Sequence, residues 1–206
     1  MFFSLLALYL QVQLLNLSDM ENVIRFFKVF IVLMPAVLWA DDKMYLAGAV
    51  PEVDGKVVFE KEFIISGVAQ DSIYKNAYKW FYDYLKANDN KSGILSSDKK
   101  NGQIVAYSED AIVFSSKALH QDYTFILFNL VITCKQEKLG IRIEQVRFEY
   151  YGRIKSAEEM ISDKEALNKK KTSIYKANKK FRVNAVDYIN DLYTDAFTAI
   201  ALMSKL

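Results

Sequence analysis

The chain has 206 residues, of which 52% are hydrophobic, and a formal net charge of +2. This length suits one globular domain plus a targeting segment. A pI near 8.4 is too mild to indicate nucleic acid as a partner, because proteins that bind through phosphate contacts concentrate basic residues far more heavily. The global charge decides nothing, and no nucleic-acid partner is expected because the basic stretch of the chain lacks an interleaved set of aromatic residues. One cysteine, Cys134, and one histidine, His120, exclude an internal disulfide and a Cys/His metal cluster.

Residues 20–40 have the pattern of a secretory signal peptide. The basic residues Arg25 and Lys28 precede the apolar run Val29–Ala40, and acidic residues follow it. The run is shorter than the roughly 20 apolar residues of a membrane-spanning helix, so a retained membrane anchor is the weaker alternative. We therefore expect an exported protein that is not an integral membrane protein after signal cleavage.

Cleavage is expected after Ala40. Because Leu38 is larger than the small residue preferred three positions before the cleaved bond, a downstream site within Ala47–Ala49 stays open. Residues 1–19 are apolar but lack a basic flank, which suggests an upstream start codon assigned in error. The mature protein then comprises an N-terminal lead-in at 41–50 and a single α+β domain at 51–206.

The domain is predicted to begin with a strand and a helix. A turn at Asp54 and Gly55 leads into Val57–Ile65, in which apolar and polar residues alternate. Over Asp71–Ala87, apolar residues recur at intervals of three and four, which is typical of an amphipathic helix. Trp80 lies on the apolar face of that helix and is expected to anchor the core.

Five strands are expected after this helix. The Asn101-Gly102 pair predicts a tight hairpin between the first two. His120 falls in a polar turn before the fourth strand, where it is expected to be solvated. The strands are Ile94–Ser97, Gln103–Ser108, Ala111–Ser116, Tyr123–Cys134 and Leu139–Tyr150.

The fourth of these strands is expected near the middle of an antiparallel sheet. One row of its side chains is wholly apolar and predicts a buried face, with Cys134 continuing that row. The opposite row is mixed, which indicates a face that is partly wet. The apolar row is Ile126, Phe128, Leu130 and Ile132, and the mixed row includes Tyr123, Phe125 and Leu127.

The last strand changes phase at Glu144 and Gln145, which predicts a β-bulge and therefore a curved sheet. Ser156 and Ser162 each precede a glutamate by three residues, a pattern that begins helices, and a long helix over about Val183–Met203 closes the chain. These elements predict an α+β fold, with a curved antiparallel sheet of about six strands in β-α-β5-α order. The N-terminal amphipathic helix and the long C-terminal helix pack on one face of that sheet.

Four groups of residues, taken in order, carry a family resemblance. They are Val50, Pro51, Val53, Asp54, Gly55, Lys56, Val57, Val58 and Phe59, then Ala77 with Trp80, then Cys134 with Lys135, and last Ile161–Lys169 followed by Phe181 and Arg182. With these residues the chain from Val50 onward resembles the exported Gram-negative bacterial proteins of domain-of-unknown-function family 4468. The resemblance implies a TATA-binding-protein-like fold and a place in the periplasm or outside the cell, and it brings no catalytic or ligand residues.

The sequence holds no pattern of a catalytic site. Its glycines form no phosphate-binding loop and no serine lies in a nucleophile elbow. The adjacent acids Glu109 and Asp110, and likewise Glu158 and Glu159, are expected in surface turns and caps, because neighbouring strand residues point to opposite faces. We therefore expect neither an enzyme nor a cofactor.

One stretch of the chain is strongly basic. Between Lys164 and Arg182 a single acid, Glu165, stands among eight cations. The stretch is interpreted as a contact for an anionic surface such as lipid headgroups, and the alternative is a solvated helix end and loop. The candidate contacts are Lys169, Lys170, Lys171, Lys179, Lys180 and Arg182.

Two functions of different classes fit these observations. The first is an exported non-enzymatic interaction module, in which Tyr123, Phe125 and Leu127 face a protein partner or a second copy of the chain. The alternative is a carrier of a small apolar or amphipathic ligand, held between the curved sheet and the C-terminal helix. A third interpretation has Met44–Val50 covering the mixed row and leaves no exposed site.

Overall fold

The computed structural model describes residues 41–87, 92–117 and 120–204, so the predicted signal peptide and the segment before it lie outside the described residues. Within the chain, Tyr45–Leu206 clusters as one compact unit. Among the described residues, no helix combines the length and the hydrophobicity that crossing a membrane requires.

Seven strands and four α-helices follow a short 3-10 helix at Asp41–Tyr45 in the described part of the chain. The strands are β1 (Glu52–Val53), β2 (Lys56–Ile64), β3 (Gly93–Asp98), β4 (Gln103–Lys117), β5 (His120–Lys135), β6 (Lys138–Tyr150) and β7 (Arg153–Ser156). The helices are α1 (Gln70–Ala87), α2 (Ala157–Met160), α3 (Asp163–Ala166) and α4 (Lys176–Met203).

All strands belong to one antiparallel sheet in the order β1-β2-β6-β5-β4-β3. β5 lies in the middle, as its two unlike rows of side chains predict. Strand β2 pairs with β6 over Lys138–Glu144, and β7 pairs with β6 over Arg147–Tyr150. Strands β2 and β7 therefore follow one another along the same side of β6.

The predicted bulge in β6 is confirmed. Leu127 and Asn129 of β5 face Arg147 and Glu144, so β6 has one residue more than β5 over this interval. Gln145 adopts a positive φ of 56° there, and an extra residue of this kind bends and twists a strand. The bulge falls where β2 stops pairing and β7 begins, so it sets the bend between the two halves of β6.

Helices α1 and α4 pack on the same face of the sheet. The apolar row of β5, including Cys134, is buried in one core with side chains of both helices. Trp80 is part of this core, as predicted: its Nε1 donates to Asp195 Oδ2 of α4 over 2.8 Å, and its ring stacks on Tyr84 at 5.4 Å. The opposite face of the sheet, called the open face below, carries the mixed row of β5.

The pair of strands expected at Gln103–Ser108 and Ala111–Ser116 is wrong, because β4 is one continuous strand. Glu109 and Asp110 were expected in a turn, but they continue the register opposite Leu127 and Ile126. His120 likewise pairs with Lys117 at the start of β5 instead of lying in a turn.

The C-terminal helix begins seven residues before the expected Val183, at Lys176. Its N-cap residue, Tyr175, makes no side-chain capping bond, so the sequence carries no start signal of the usual kind. Where such signals exist the prediction is confirmed: Ser156 caps α2 in a complete capping box, and Ser162 caps α3.

Candidate binding surfaces

The predicted partner residues lie in one row on the open face, but they are not equally exposed. The side chain of Tyr123 is 44% exposed, Phe125 is half-buried, and Leu127 is only 5% exposed. Including Leu127 in an exposed surface is therefore wrong. Leu127 lies in register between Glu109 of β4 and Arg147 of β6, and long side chains on both neighbouring strands shield a residue between them.

Other exposed apolar residues extend this row at the end of the sheet nearest the β6–β7 turn. Val113, 45% exposed, lies directly opposite Tyr123 on β4. Ile154, 56% exposed, lies opposite Glu149, which in turn faces Phe125. We call Val113, Tyr123, Phe125, Tyr151 and Ile154 the hairpin-end patch. Ile154 was missed because β7 was not predicted, and Val113 because no spacing along the chain shows that it lies opposite Tyr123.

A shallow groove crosses the hairpin-end patch. It has a volume of about 160 Å³, and Tyr123, Phe125 and Tyr151 line it together with polar residues. The rings of Tyr123 and Phe125 meet edge to face with centroids 5.5 Å apart. The aromatic side chains therefore form a defined, partly wet depression.

The lead-in segment does not cover the mixed row, so the third interpretation is wrong. The Arg182 guanidinium of α4 donates to the carbonyl oxygens of Tyr45 and Leu46 over 2.6 and 2.7 Å. The Tyr45 hydroxyl donates to Asp187 Oδ1 over 2.8 Å. These bonds fix the segment against α4, on the helix side of the sheet.

The basic stretch contains both buried and exposed cations. Arg182 is fully buried and bound to Asp163, so its assignment to a surface contact is wrong. Lys171 lies 3.5 Å from Asp163 but is exposed. Lys169 and Lys170 are exposed in the turn after α3, and Lys179 is exposed on the first turns of α4.

Lys180 forms hydrogen bonds and cation–π contacts within the fold. Its Nζ donates to Asp122 Oδ2 over 2.9 Å and to the Tyr150 hydroxyl over 2.7 Å. The same ammonium lies over the rings of Phe114, Tyr150 and Phe181, at 4.3 to 5.4 Å from their centroids. Cation–π contacts and an ion pair together satisfy this charge within the fold, so Lys180 contributes little to an external anionic contact.

A second concave site lies between the sheet and the start of α4. It is a partly open cavity of about 430 Å³ whose apolar lining includes Phe148, Tyr150, Met160 and Phe181. Asn178 Nδ2 of α4 donates to the Met160 carbonyl oxygen over 2.8 Å, which ties α2 to the long helix beside the cavity. No local sequence pattern marks this site, because its walls come from four different elements.

A half-buried polar network joins α1, β4 and α4, and the sequence did not indicate it. The Tyr188 hydroxyl donates to Asp110 Oδ2 over 2.8 Å and shares a hydrogen bond with the Tyr84 hydroxyl, also at 2.8 Å. Ser108, fully buried, lies 3.3 Å from the Tyr84 hydroxyl. Burial is the largest cause that raises the pKa of both phenols, so they stay protonated and act as donors that join α1, β4 and α4.

Cys134 is buried, and desolvation raises the pKa of its thiol to about 12. A thiol is nucleophilic as the thiolate, so Cys134 behaves as a small hydrophobe, as its place in the apolar row predicts. Within residues 41–87, 92–117 and 120–204, no group of three or more His, Cys, Asp or Glu side chains is arranged to hold a metal ion.

The chain is similar to proteins of one family. Residues 59–149 match the family described as a domain of unknown function (DUF4468) with TBP-like fold. A solved DUF4468 family protein from Bacteroides ovatus ATCC 8483 is 44% identical, with a TM-score of 0.75, over 78% of this chain and 95% of that chain. The chain belongs to the DUF4468 family.

A more distant structure extends the comparison at the level of the fold. A TBP-like protein from Parabacteroides distasonis ATCC 8503 is 21% identical with a TM-score of 0.59, over 74% of this chain and 97% of that chain. No protein with a curated description matches. The DUF4468 family thus fixes the fold of this chain, while a fold shared with TBP-like proteins does not by itself transfer a function.

Proposed function

We propose that this DUF4468 protein is an exported, non-catalytic interaction module whose hairpin-end patch binds another protein chain. The exposed cluster of Val113, Tyr123 and Ile154 carries this proposal. Soluble monomers rarely expose contiguous apolar patches without a function, and aromatic side chains are enriched where protein partners bind. Export rests on the signal-peptide pattern at 20–40.

Charges of both signs on the open face favour a second copy of the chain as the partner. On the open face, Arg142 pairs with Glu60 and Glu144, and Lys138 pairs with Glu62. A face that carries both signs can oppose itself across a two-fold axis, because each copy then presents acids to the cations of the other. The same pairing argues against nucleic acid, whose partners concentrate unpaired cations on one face.

The protonation and burial of the phenols and the thiol support a non-catalytic function. The half-buried phenols of Tyr84 and Tyr188 are protonated donors in a hydrogen-bond network, and the thiol of Cys134 is buried. A nucleophile needs an adjacent base and access to substrate. Cys134, with no exposed surface, lacks that access.

Sedimentation velocity of the purified protein over a roughly hundredfold concentration range tests the module. We expect reversible dimers that the double variant Val113→Ser, Tyr123→Ser abolishes. Leu95→Ser is the matched control, because Leu95 is 62% exposed on β3, outside the patch, and this variant should dimerise like the parent protein. A parent protein that stays monomeric throughout, or a double variant that still dimerises, contradicts the proposal.

The cavity beside α4 favours a second function, that of a carrier for a small ligand. The carrier hypothesis expects a ligand between the sheet and the C-terminal helix, and the cavity lies there. Its volume of about 430 Å³ is within the usual range of roughly 300–1,000 Å³ for ligand pockets. Native mass spectrometry of protein purified without detergent tests this function. An added mass that denaturation removes supports a carrier, and the bare chain mass or its simple multiple contradicts it.

A further inference from the structure

The cavity beside α4 has an aromatic floor. Phe181 of α4 meets Phe148 edge to face at 5.7 Å and Tyr150 at 5.2 Å. Phe148 and Phe181 are almost fully buried, while Met160 and Tyr150 are half-buried at the side of the cavity. An apolar chain placed here would be removed from water on several sides, which is the main favourable contribution to binding such a chain.

Two cations line the same cavity from β7. Lys155 lies directly opposite Phe148 and Arg153 directly opposite Tyr150 in the β6–β7 ladder. Residues in direct register share a face of the sheet, so both cations lie on the side of the aromatic floor. Ile154, between them, faces the open side.

These two cations differ from Lys180 and Arg182 of α4. Lys180 is paired with Asp122 and Arg182 with Asp163, whereas neither Arg153 nor Lys155 forms an ion pair with any described residue. Both are exposed at the mouth of an apolar cavity. The cavity therefore combines an apolar interior with uncompensated positive charge at its rim.

We propose that this cavity binds an amphiphile with one anionic headgroup and an apolar chain, the chemistry of a fatty acid. The chain lies on Phe148, Phe181 and Met160, and the carboxylate accepts charge-assisted hydrogen bonds from Arg153 and Lys155. This inference rests on the carrier function and adds to it the ligand class and the two residues that select it.

Isothermal titration calorimetry with dodecanoate at pH 8 and low salt tests the proposal, with glycerol monododecanoate as the neutral probe of equal chain length. We expect dodecanoate to bind about tenfold more tightly than the neutral ester. Replacing both cations, as Arg153→Gln with Lys155→Gln, should remove this preference and leave the affinity for the ester unchanged. The matched control, Lys75→Gln with Lys100→Gln at two exposed positions away from the cavity, changes the net charge equally and should keep the preference.

The methyl resonance of Met160 locates the bound chain independently of affinity. In protein labelled at the methionine methyl groups, dodecanoate should shift the Met160 signal, assigned by Met160→Leu, and leave that of Met44 unchanged. An unshifted Met160 signal at saturation places the chain elsewhere and overturns the proposal.

The remaining outcomes separate this inference from the carrier function. Equal affinities for dodecanoate and the ester overturn the inference, and so does an equal loss of the preference for dodecanoate in the two double variants. If native mass spectrometry then shows a copurifying neutral ligand, the carrier function still stands. If neither probe binds and no mass is added, both fail.

Discussion

Arg182 on α4 and Asp163 on α3 form an ion pair of 2.6 Å in which the arginine is fully buried. The same guanidinium donates to the carbonyl oxygens of Tyr45, Leu46 and Ile161. One side chain therefore joins the lead-in segment, the junction of the two short helices and the long helix. Arg182 therefore has a structural role, although in the sequence it lies among lysines that are mostly exposed.

Replacing Arg182 should be costly. In Arg182→Met the apolar volume is largely kept, but three carbonyl oxygens and the Asp163 carboxylate each lose the hydrogen bond that Arg182 donates. Removing one partner of a buried ion pair typically costs about 3–5 kcal/mol, so we expect the free energy of unfolding to fall by about 3 kcal/mol or more in urea titrations followed by circular dichroism.

Lys170→Met is the control for this substitution, since it removes the same charge from an exposed position. It should change the free energy of unfolding by no more than about 0.5 kcal/mol. An Arg182→Met protein as stable as this control would show that the buried pair does not hold the three segments together.

Asp163 should make the stability depend on acid pH. Burial alone would raise the pKa of its carboxyl, but the hydrogen bonds from Arg182 and Gly48, with the charges of Arg182 and Lys171, outweigh burial and hold the pKa below its usual value. The resulting stabilisation is present above the unfolded-state pKa of about 4 and is lost as pH falls through the folded-state pKa.

Thermal melting as a function of pH measures this contribution. The melting temperature of the parent protein should drop below about pH 4, and Asp163→Asn should be less stable at neutral pH and lose less stability on acidification. Asp83→Asn, in an exposed helix pair with Lys79, should follow the parent curve. Parallel curves for Asp163→Asn and the parent protein would contradict the assignment.

The Tyr188 hydroxyl should stabilise the core through Asp110. Tyr188→Phe keeps the ring but removes the donor to Asp110 Oδ2 and the bond to Tyr84. Taking one partner from a buried polar group costs about 1–3 kcal/mol, and since Asp110 and Tyr188 are half-buried, urea unfolding should show a loss near the lower end of that range. Tyr175→Phe, at an exposed ring, should be neutral, and equal effects of the two substitutions would exclude a role for the network.

The fold was predictable where its signals are local. Strict alternation located β5, three-and-four spacing located α1, and the phase change at Gln145 located the bulge. These patterns arise because each element must bury one face, whatever surrounds it. Patterns of this kind can be recognised without knowing which distant residues each element contacts.

The errors arose where contacts between residues far apart in the sequence determine the local structure. Asp110 belongs to a strand because Tyr84 and Tyr188 hydrogen-bond its carboxylate, and Arg182 is buried because Asp163 and three carbonyl groups surround it. Leu127 failed as a surface candidate for the same reason. The burial of Leu127 and the cavity beside α4 depend on cross-strand and helix contacts that no spacing along the chain records.

The exposed part of the basic stretch keeps a testable role at anionic surfaces. Lys169, Lys170 and Lys171 follow α3 in one exposed turn. A cation near an anionic membrane contributes about 1 kcal/mol at low salt, less for Lys171 because Asp163 lies 3.5 Å away. Replacing all three by Gln should weaken retention on vesicles of anionic phospholipid, and the difference should vanish at high salt, where the charges are screened.

The control replaces three exposed lysines elsewhere, Lys75, Lys99 and Lys100, by Gln. The net charge then falls equally, but the 169–171 turn stays intact, so retention should match that of the parent protein. Equal losses in the two triple variants would indicate attraction by overall charge, since long-range attraction follows net charge and not position. Unchanged retention without Lys169, Lys170 and Lys171 would exclude this turn as the anionic contact.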